Sequence, residues 1–315
     1  MDSSVSSIKT IDLHYLGIPQ AIAAFVVMAP DGPVLIETGP ASTLPALERR
    51  LNELGLKLND IRHALVTHIH LDHAGAAGQL ARNGTRIHVH EFGARHLADP
   101  TKLIDSATRI YGAQMDRLWG SILPVPQQLI TPVRDGEVIN AGGLHVRAIE
   151  TPGHARHHHA YSMTIDGKKI GIVGDVAGFN APAVSDSYHS VPTPPPEFDL
   201  EAWLRSIERL QRERFDAIHL THFGRVDNPA QHLTMLTNVL QQHSEFIRTR
   251  LVSGGNRDEI LAHYIEWNRA EAAAAGIVGD DFARYVSRNL LIMNVDGMIR
   301  YWTARGPATN SLVNP

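Results

Sequence analysis

Short apolar runs alternate with helical stretches through the first third of the chain. AIAAFVVMA (21–29) and PVLIET (33–38) predict two strands joined by a turn at Asp31-Gly32-Pro33. Leu44, Leu47, Leu51 and Leu54 recur at helical spacing and predict an amphipathic helix that stops near Gly55. HALVTH (63–68) predicts a third strand, followed after Asp72 by a helix start in small residues, and TRIHVH (85–90) predicts a fourth. Strand–helix–strand order with short connections indicates an α/β layered domain.

Residues 91–130 carry a different pattern. Tyr111, Met115, Leu118, Trp119 and Ile122 fall on one helix face ending at Pro124–Pro126, which predicts a helical insertion between strands. From 137 to 175 the strands resume as EVINAGGLHVRAIE, HAYSMTI, a turn at Asp166-Gly167, and KKIGIVGD. That meander makes this half of the sheet partly antiparallel. A loop with Pro192, Pro194, Pro195 and Pro196 leads to a helix with Asp199 as N-cap, and FDAIHLTHFG (215–224) reads as one more buried strand. Asn228-Pro229 opens a helical region in which Leu233, Leu236, Leu240, Ile247 and Leu251 keep register, with two further helices expected over 256–303. The organisation predicted is a large α/β domain, 1–227, followed by a helical C-terminal extension, 228–315.

Composition narrows the chemistry. With 43% hydrophobic and 20% charged residues among 315, the chain has an ordinary globular make-up. It contains no cysteine, which excludes a disulfide framework, thiolate metal sites and a thiol nucleophile. A net charge of −4 argues against nucleic acid as a partner. Without an 18-residue apolar run no segment is expected to span a membrane. MDSSVSSIKTIDLHYLG lacks a charged region before an apolar core, so no signal peptide is expected and the location expected is cytoplasmic. Histidine, at 19 residues, is the unusual quantity.

The histidines cluster in Thr67-His68-Ile69-His70-Leu71-Asp72-His73-Ala74-Gly75, where an apolar strand meets a helix. On an extended chain His68 and His70, two residues apart, point to one side. Asp72 and His73 in the following turn face the same space. Imidazoles and a carboxylate without sulfur suit zinc or another borderline divalent metal. A polar surface loop would explain ligands at the end of a buried strand poorly, because ionisable groups there are costly unless paired or metal-bound.

HxHxDH after an apolar strand resembles the signature of the metallo-β-lactamase-fold hydrolases. Further landmarks follow in order: Thr151-Pro152-Gly153-His154, then Gly174-Asp175, then Leu220-Thr221-His222-Phe223-Gly224. The resemblance covers about residues 10–225 and implies a four-layer αββα fold carrying the helical insertion and C-terminal helices. It implies that His68, His70 and His154 hold one metal, that Asp72, His73 and His222 hold a second, and that Asp175 bridges them. The pattern points to a two-metal site of the glyoxalase II and lactonase type, with zinc first and iron or manganese as alternatives. Two divalent ions can hold a bridging water as hydroxide and polarise a substrate oxygen, with Asp72 and Asp175 orienting the nucleophile and taking up a proton.

Two positions depart from the family pattern. Glu37 stands where an aspartate usually supports the metal loops, so its extra methylene is expected to bear on ligand orientation. In the His154 loop, Ala155-Arg156-His157-His158-His159 lacks the usual proline-glycine pair, and by spacing His158 matches a supporting histidine. His157 and His159 read as polar positions where a loop enters a strand, His88 and His90 as sheet-face residues, and His219 as pointing away from the site.

Loops and appended helices would choose the substrate. Tyr111, Met115 and Trp119 of the insertion are candidates for an apolar lid, and the resemblance makes Phe179, Tyr188 and His189, on the loop after the bridging aspartate, candidates for substrate contacts. The C-terminal helices, with Tyr264, Trp267, Tyr285 and Met293, would roof the pocket or form a homodimer face. An apolar roof over a metal floor suits a small ester, thioester or lactone. The alternatives are a phosphodiester or other phosphoryl substrate, and a metal-bearing binding or regulatory protein whose hydrolysis is incidental.

Overall fold

A computed structural model of the chain describes residues 7–306. The first residues of the N-terminal segment read for a leader, 1–6, and the end of the C-terminal extension, 307–315, lie outside the described residues.

The strands form two six-stranded mixed sheets. The first runs, in spatial order, β1 (Ile8–Asp12), β2 (Ala23–Ala29), β3 (Gly32–Ile36), β4 (His63–Leu65), β5 (Arg86–His90) and β6 (Ile130–Val133). The second contains β7 (Val138–Ala141), β8 (Leu144–Glu150), β9 (His159–Ile165) and β10 (Lys168–Ile172), continued by β13 (Ala217–Leu220) and β14 (Gly224–Val226). A hairpin of β11 (Phe179–Ala181) and β12 (Ser185–Ser190) stands apart. The helices are α1 (Leu44–Glu53), α2 (Leu71–Ala74), α3 (Ala77–Arg82), α4 (Glu91–Ala98), α5 (Thr101–Tyr111), α6 (Met115–Trp119), α7 (Leu200–Glu213), α8 (Pro229–Val252), α9 (Arg257–Ala274), α10 (Asp280–Tyr285) and α11 (Arg288–Arg305).

Strand alternation builds the layers, because successive side chains point to opposite faces. On β2, Ala24 and Val26 join an outer cluster with Leu47 and Leu51 of α1, Leu80 of α3 and Leu97 of α4. Ala23, Phe25 and Val27 of the same strand join Val146, Tyr161, Met163 and Ile172 of the second sheet. Behind that sheet, Ile149 and Ile218 pack with Trp203 and Ile207 of α7, Leu236 and Ile247 of α8, Tyr264 of α9, and Val295 and Met298 of α11. The result is the αββα sandwich that the motifs imply. The C-terminal helices share one apolar cluster with its fourth layer.

The predicted helix starts are made by side chains. Asp199 accepts from the Ala202 N–H, and Asn228 accepts from the Gln231 N–H ahead of Pro229. Over 91–130, α4 packs on the first sheet, whereas Ala107 of α5 and Leu118 and Trp119 of α6 form a satellite cluster with Leu71. Tyr15 stacks on Trp119 with ring centroids 5.8 Å apart. Among the described residues no helix is long and apolar enough to cross a membrane.

Away from the site, His88 of β5 is buried with its Nε2 3.0 Å from His63 Nδ1. Burial, with His63 and Arg86 adding to it, lowers its pKa from 6.5 to about 3. The unfolded chain protonates this ring near 6.5, so its contribution to stability is complete above that pH and is lost as pH falls towards about 3. His88→Gln should therefore flatten the acid limb of stability against pH by up to one proton, about 1.4 kcal/mol per pH unit. Urea unfolding at a series of pH values measures this, and an unchanged slope would contradict it.

Candidate metal centre

The site lies where strands of both sheets end. His68 and His70 leave the sheet just after β4, and Asp72 and His73 form the short helix α2. His154 lies between β8 and β9, Asp175 in the 3-10 turn Gly174–Ala177 after β10, and His222 between β13 and β14. These seven side chains converge into two groups. His68, His70 and His154 make one, and Asp72, His73, Asp175 and His222 make the other.

In the first group the ring nitrogens form a triangle. His68 Nε2 and His154 Nε2 each lie 2.9 Å from His70 Nδ1, and 3.2 Å from one another. Three nitrogens around an ion at metal–nitrogen bonds of about 2.0–2.1 Å stand about 3.3 Å apart in a tetrahedron, so these residues fit one ion. Burial and the neighbouring imidazoles hold His68 well below 6.5 and His70 at about 3, and burial lowers His154 as well. The three rings are therefore neutral, with lone pairs directed at a common point.

The second group has the opposite polarity. Burial opposes ring protonation, but Asp175 and Asp72 outweigh it at His73 and His222, and both pKa values rise. Burial also disfavours the carboxylates, yet His73 and its neighbours hold Asp72 at about 2 and Asp175 well below the usual range. His73 Nε2, His222 Nε2 and Asp175 Oδ1 are buried without a hydrogen-bond partner. Three such atoms converging on one space fit a divalent cation, whose binding would displace protons from this group.

Surrounding residues fix the rings from behind. His154 Nδ1 donates to Pro192 O (2.9 Å), His222 Nδ1 to Ala21 O (2.8 Å), and His73 Nδ1 to Glu37 Oε1 (3.0 Å). Each bond selects the tautomer that leaves Nε2 free for a metal. The buried Glu37 carboxylate also accepts from the Thr67 hydroxyl (2.5 Å), the Thr67 N–H (3.2 Å) and the Thr221 hydroxyl (3.1 Å). It thereby ties the first metal loop to the last. Glu37→Ala would take the carboxylate from His73 and leave the Thr221 hydroxyl and the Thr67 N–H without their acceptor in the interior, with the Thr67 hydroxyl keeping only ring nitrogens such as His68 Nδ1 (3.1 Å). We expect a loss of about 3–5 kcal/mol in denaturant unfolding. A loss under about 1 kcal/mol would contradict that role.

His158 bonds to the Thr151 hydroxyl through Nδ1 (2.8 Å) and accepts the Asp175 N–H at Nε2 (3.2 Å). A Cβ at Gly174, where φ is +50°, would press on His158 Nε2 and Thr67 Oγ1 at 2.7 Å, so the turn presenting Asp175 requires glycine. Trp203 backs His154 with ring centroids 5.8 Å apart, its indole N–H donating to Val176 O.

A cavity of about 590 Å³ opens above both groups. Tyr111, Trp119, Phe179 and Tyr188 line it, as do His70, Asp72, His154, Asp175 and His222. The Phe179 ring lies 4.1 Å from that of His222, and burial pushes the Tyr188 hydroxyl up to about 12. Met115 and His189 are not among the lining residues. Met115 packs on the satellite cluster, and His189 Nδ1 meets Asn180 Oδ1 at 2.7 Å. The C-terminal helices contribute Tyr285 and Met293 to the lining, and the Tyr111 hydroxyl donates to Met293 Sδ across the cavity at 3.4 Å.

Sequence reasoning missed several contributors. Tyr15 lines the cavity from a segment with no motif, and His157, read as a loop position, also faces it with Nε2 3.2 Å from Glu197. Thr67 and Thr221 stand inside the quoted motifs, and each precedes a metal-loop histidine, which was the available signal.

An αββα sandwich with paired nitrogen and oxygen clusters at its strand ends defines a class of metal-site proteins. The family model of the metallo-beta-lactamase superfamily matches residues 17–222, and the chain belongs to that superfamily. It is 26% identical over 258 residues to metallo-beta-lactamase fold-containing protein ST1585 of Sulfurisphaera tokodaii, covering 79% of this chain and 90% of that one. Among solved structures, metallo-beta-lactamase family protein TTHA1429 from Thermus thermophilus superposes with a TM-score of 0.70 at 22% identity, covering 95% of this chain and 94% of the other. Metallo-beta-lactamase SMB-1, bound to 2-mercaptoethanesulfonate, superposes with a TM-score of 0.55 at 18% identity over 79% of this chain and 95% of its own.

Proposed function

We propose that the protein is a dinuclear metal-dependent hydrolase of a small ester, thioester or lactone. The observation that carries this reading is the 590 Å³ cavity, whose floor is the two ligand groups and whose walls include Ile69, Leu103, Trp119, Phe179 and Leu290. Its dimensions suit a compact substrate with an apolar arm rather than a polymer. His68, His70 and His154 would hold one ion, Asp72, His73 and His222 the other, and Asp175, whose oxygens face both His73 (3.1 Å) and His154 (3.4 Å), would be shared. When bound, the ions supply Lewis acidity, which acidifies water and polarises the acyl oxygen. Zinc suits this donor set, with iron or manganese as alternatives.

The two carboxylates then divide the work by exposure. Asp175, with its side chain 3% exposed, is locked among histidines and orients the reacting groups. Asp72, 22% exposed on the cavity floor, is the carboxylate open to receive a proton from the attacking water and return it to the leaving group. Lys102, Arg117 and Arg284 also line the cavity, and this favours the phosphodiester reading as the second one. Zinc-loaded protein tested on p-nitrophenyl esters, thioesters, lactones and bis-p-nitrophenyl phosphate separates the two. Turnover of the acyl group alone supports the first reading, turnover of the phosphodiester alone supports the second, and metal without any turnover leaves a binding protein.

A further inference from the structure

We infer that Asn294, on the C-terminal helix α11, is a positioning residue for His154, a role that rests on the metal-centre reading above. Asn294 is fully buried more than a hundred residues away in sequence, on an otherwise apolar face with Leu290, Leu291, Val295 and Met298. Its amide grips the loop that supports His154 at two points. Oδ1 accepts from the Thr193 N–H (2.9 Å), and Nδ2 donates to Val191 O (2.9 Å).

The residue enclosed by this grip is Pro192, whose carbonyl accepts from His154 Nδ1 at 2.9 Å. That carbonyl and the Thr193 N–H belong to one peptide unit. The unit is planar, so fixing the direction of its N–H end fixes the direction of its C=O end. Asn294 holds the first and His154 donates to the second. The orientation of the imidazole is thus set, through one rigid plane, by a side chain from the C-terminal helices.

Two further contacts belong to the same device. The Thr193 hydroxyl donates to Asn294 O (3.2 Å), which joins loop and helix by a third bond. A Cβ on Gly297, one turn further along α11, would overlap the Thr193 carbonyl oxygen, so glycine there lets the helix lie directly on the loop. A helix held in place for packing alone would need neither the paired amide bonds nor this close approach.

The test measures metal binding on the full-length protein, with zinc competition against a chromophoric chelator and the visible absorption of the cobalt-loaded form. Asn294→Ala should weaken binding of the ion held by His68, His70 and His154 about 10- to 100-fold and alter its cobalt bands. Gly297→Ala, which leaves the amide intact but displaces the helix, should do the same. Thr85→Ala is the control: Thr85 is fully buried before β5, its hydroxyl donates to Ile61 O at the end of the first sheet opposite the metal loops, and its loss should lower thermal stability with zinc affinity unchanged. If Asn294→Ala does not fold, Asn294→Asp, which keeps the acceptor for Thr193, should lie within a few-fold of wild type while Gly297→Ala does not. Wild-type affinity and wild-type cobalt bands in folded Asn294→Ala or Gly297→Ala would overturn the inference. Wild-type protein that binds no zinc would instead overturn the metal-centre reading beneath it.

Discussion

On the proposed dinuclear reading, His70→Ala is expected to remove one of the two ions and at least about 1,000-fold of the hydrolysis, equivalent to about 4 kcal/mol of transition-state stabilisation. The size follows from position. Nδ1 of His70 is the apex shared by two edges of the nitrogen triangle, 2.9 Å from both His68 and His154, and the ring lines the cavity. Alanine leaves two nitrogens, below the three protein ligands usual for a catalytic zinc ion. The site would retain its second group, so stoichiometry should fall from two ions towards one rather than to zero. Metal analysis together with kcat/KM on the best substrate of the panel measures both effects. Full metal content with an undiminished rate would sink the assignment of His70 and the reading built on it.

On the same reading, removing the two proposed ions from the zinc-loaded wild-type protein should lower its Tm by about 10 °C. Each ion bound to the folded state at about a thousand times its Kd contributes about 4 kcal/mol, about 8 kcal/mol for two, and at about 2.1 cal/mol/K per residue each kcal/mol moves a chain of 315 residues by about 1.5 °C. The apoprotein has particular reason to be strained in free energy. Three neutral imidazoles face one another at 2.9–3.2 Å, and beside them His73 Nε2 and His222 Nε2 are buried 3.1 and 3.5 Å from Asp175 Oδ1 as charge pairs without well-formed hydrogen bonds. Calorimetry before and after chelation, with zinc returned as the restoring control, reads the effect. A shift below about 2 °C would mean that the clusters are satisfied without a cation.

The ligand groups were legible in the sequence because metal geometry constrains short spacings. His68, His70, Asp72 and His73 occur within six residues, and His154, Asp175 and His222 each sit at the end of a strand or in the turn after it. Where the chain departs from the pattern of apolar runs, the site is the cause. HALVTH yields only the three residues of β4, because Val66–His70 must leave the sheet to bring the imidazoles together. FDAIHLTHFG splits into β13 and β14, with Thr221 and His222 in the turn between them, where they reach Glu37 and Asp175.

Other elements gave too weak a pattern. β6 contains Pro132 and survives as an edge strand, and β1 is half exposed. Three helices, not two, occupy 256–303, because α10 is only six residues long and buries Phe282 alone. Contacts between remote segments left no local trace at all. Tyr15 against Trp119 and Asn294 against Thr193 exist only once the layers have closed. An asparagine inside an apolar helical stripe was nonetheless a readable anomaly, since buried amides persist where they are fully bonded.

Two of the four tryptophans stand where they can report on the site optically, whereas Trp267 and Trp302 lie among the C-terminal helices. Trp203 lies against His154, with ring centroids 5.8 Å apart, beneath the metal floor, while Trp119 stands in the cavity wall stacked on Tyr15. Quenching of the first by a coloured ion such as cobalt follows occupation of the floor, and a change in the second follows entry of a ligand from above. Variants that keep only Trp203 or only Trp119 of the four tryptophans would thus time loading and ligand capture separately by fluorescence.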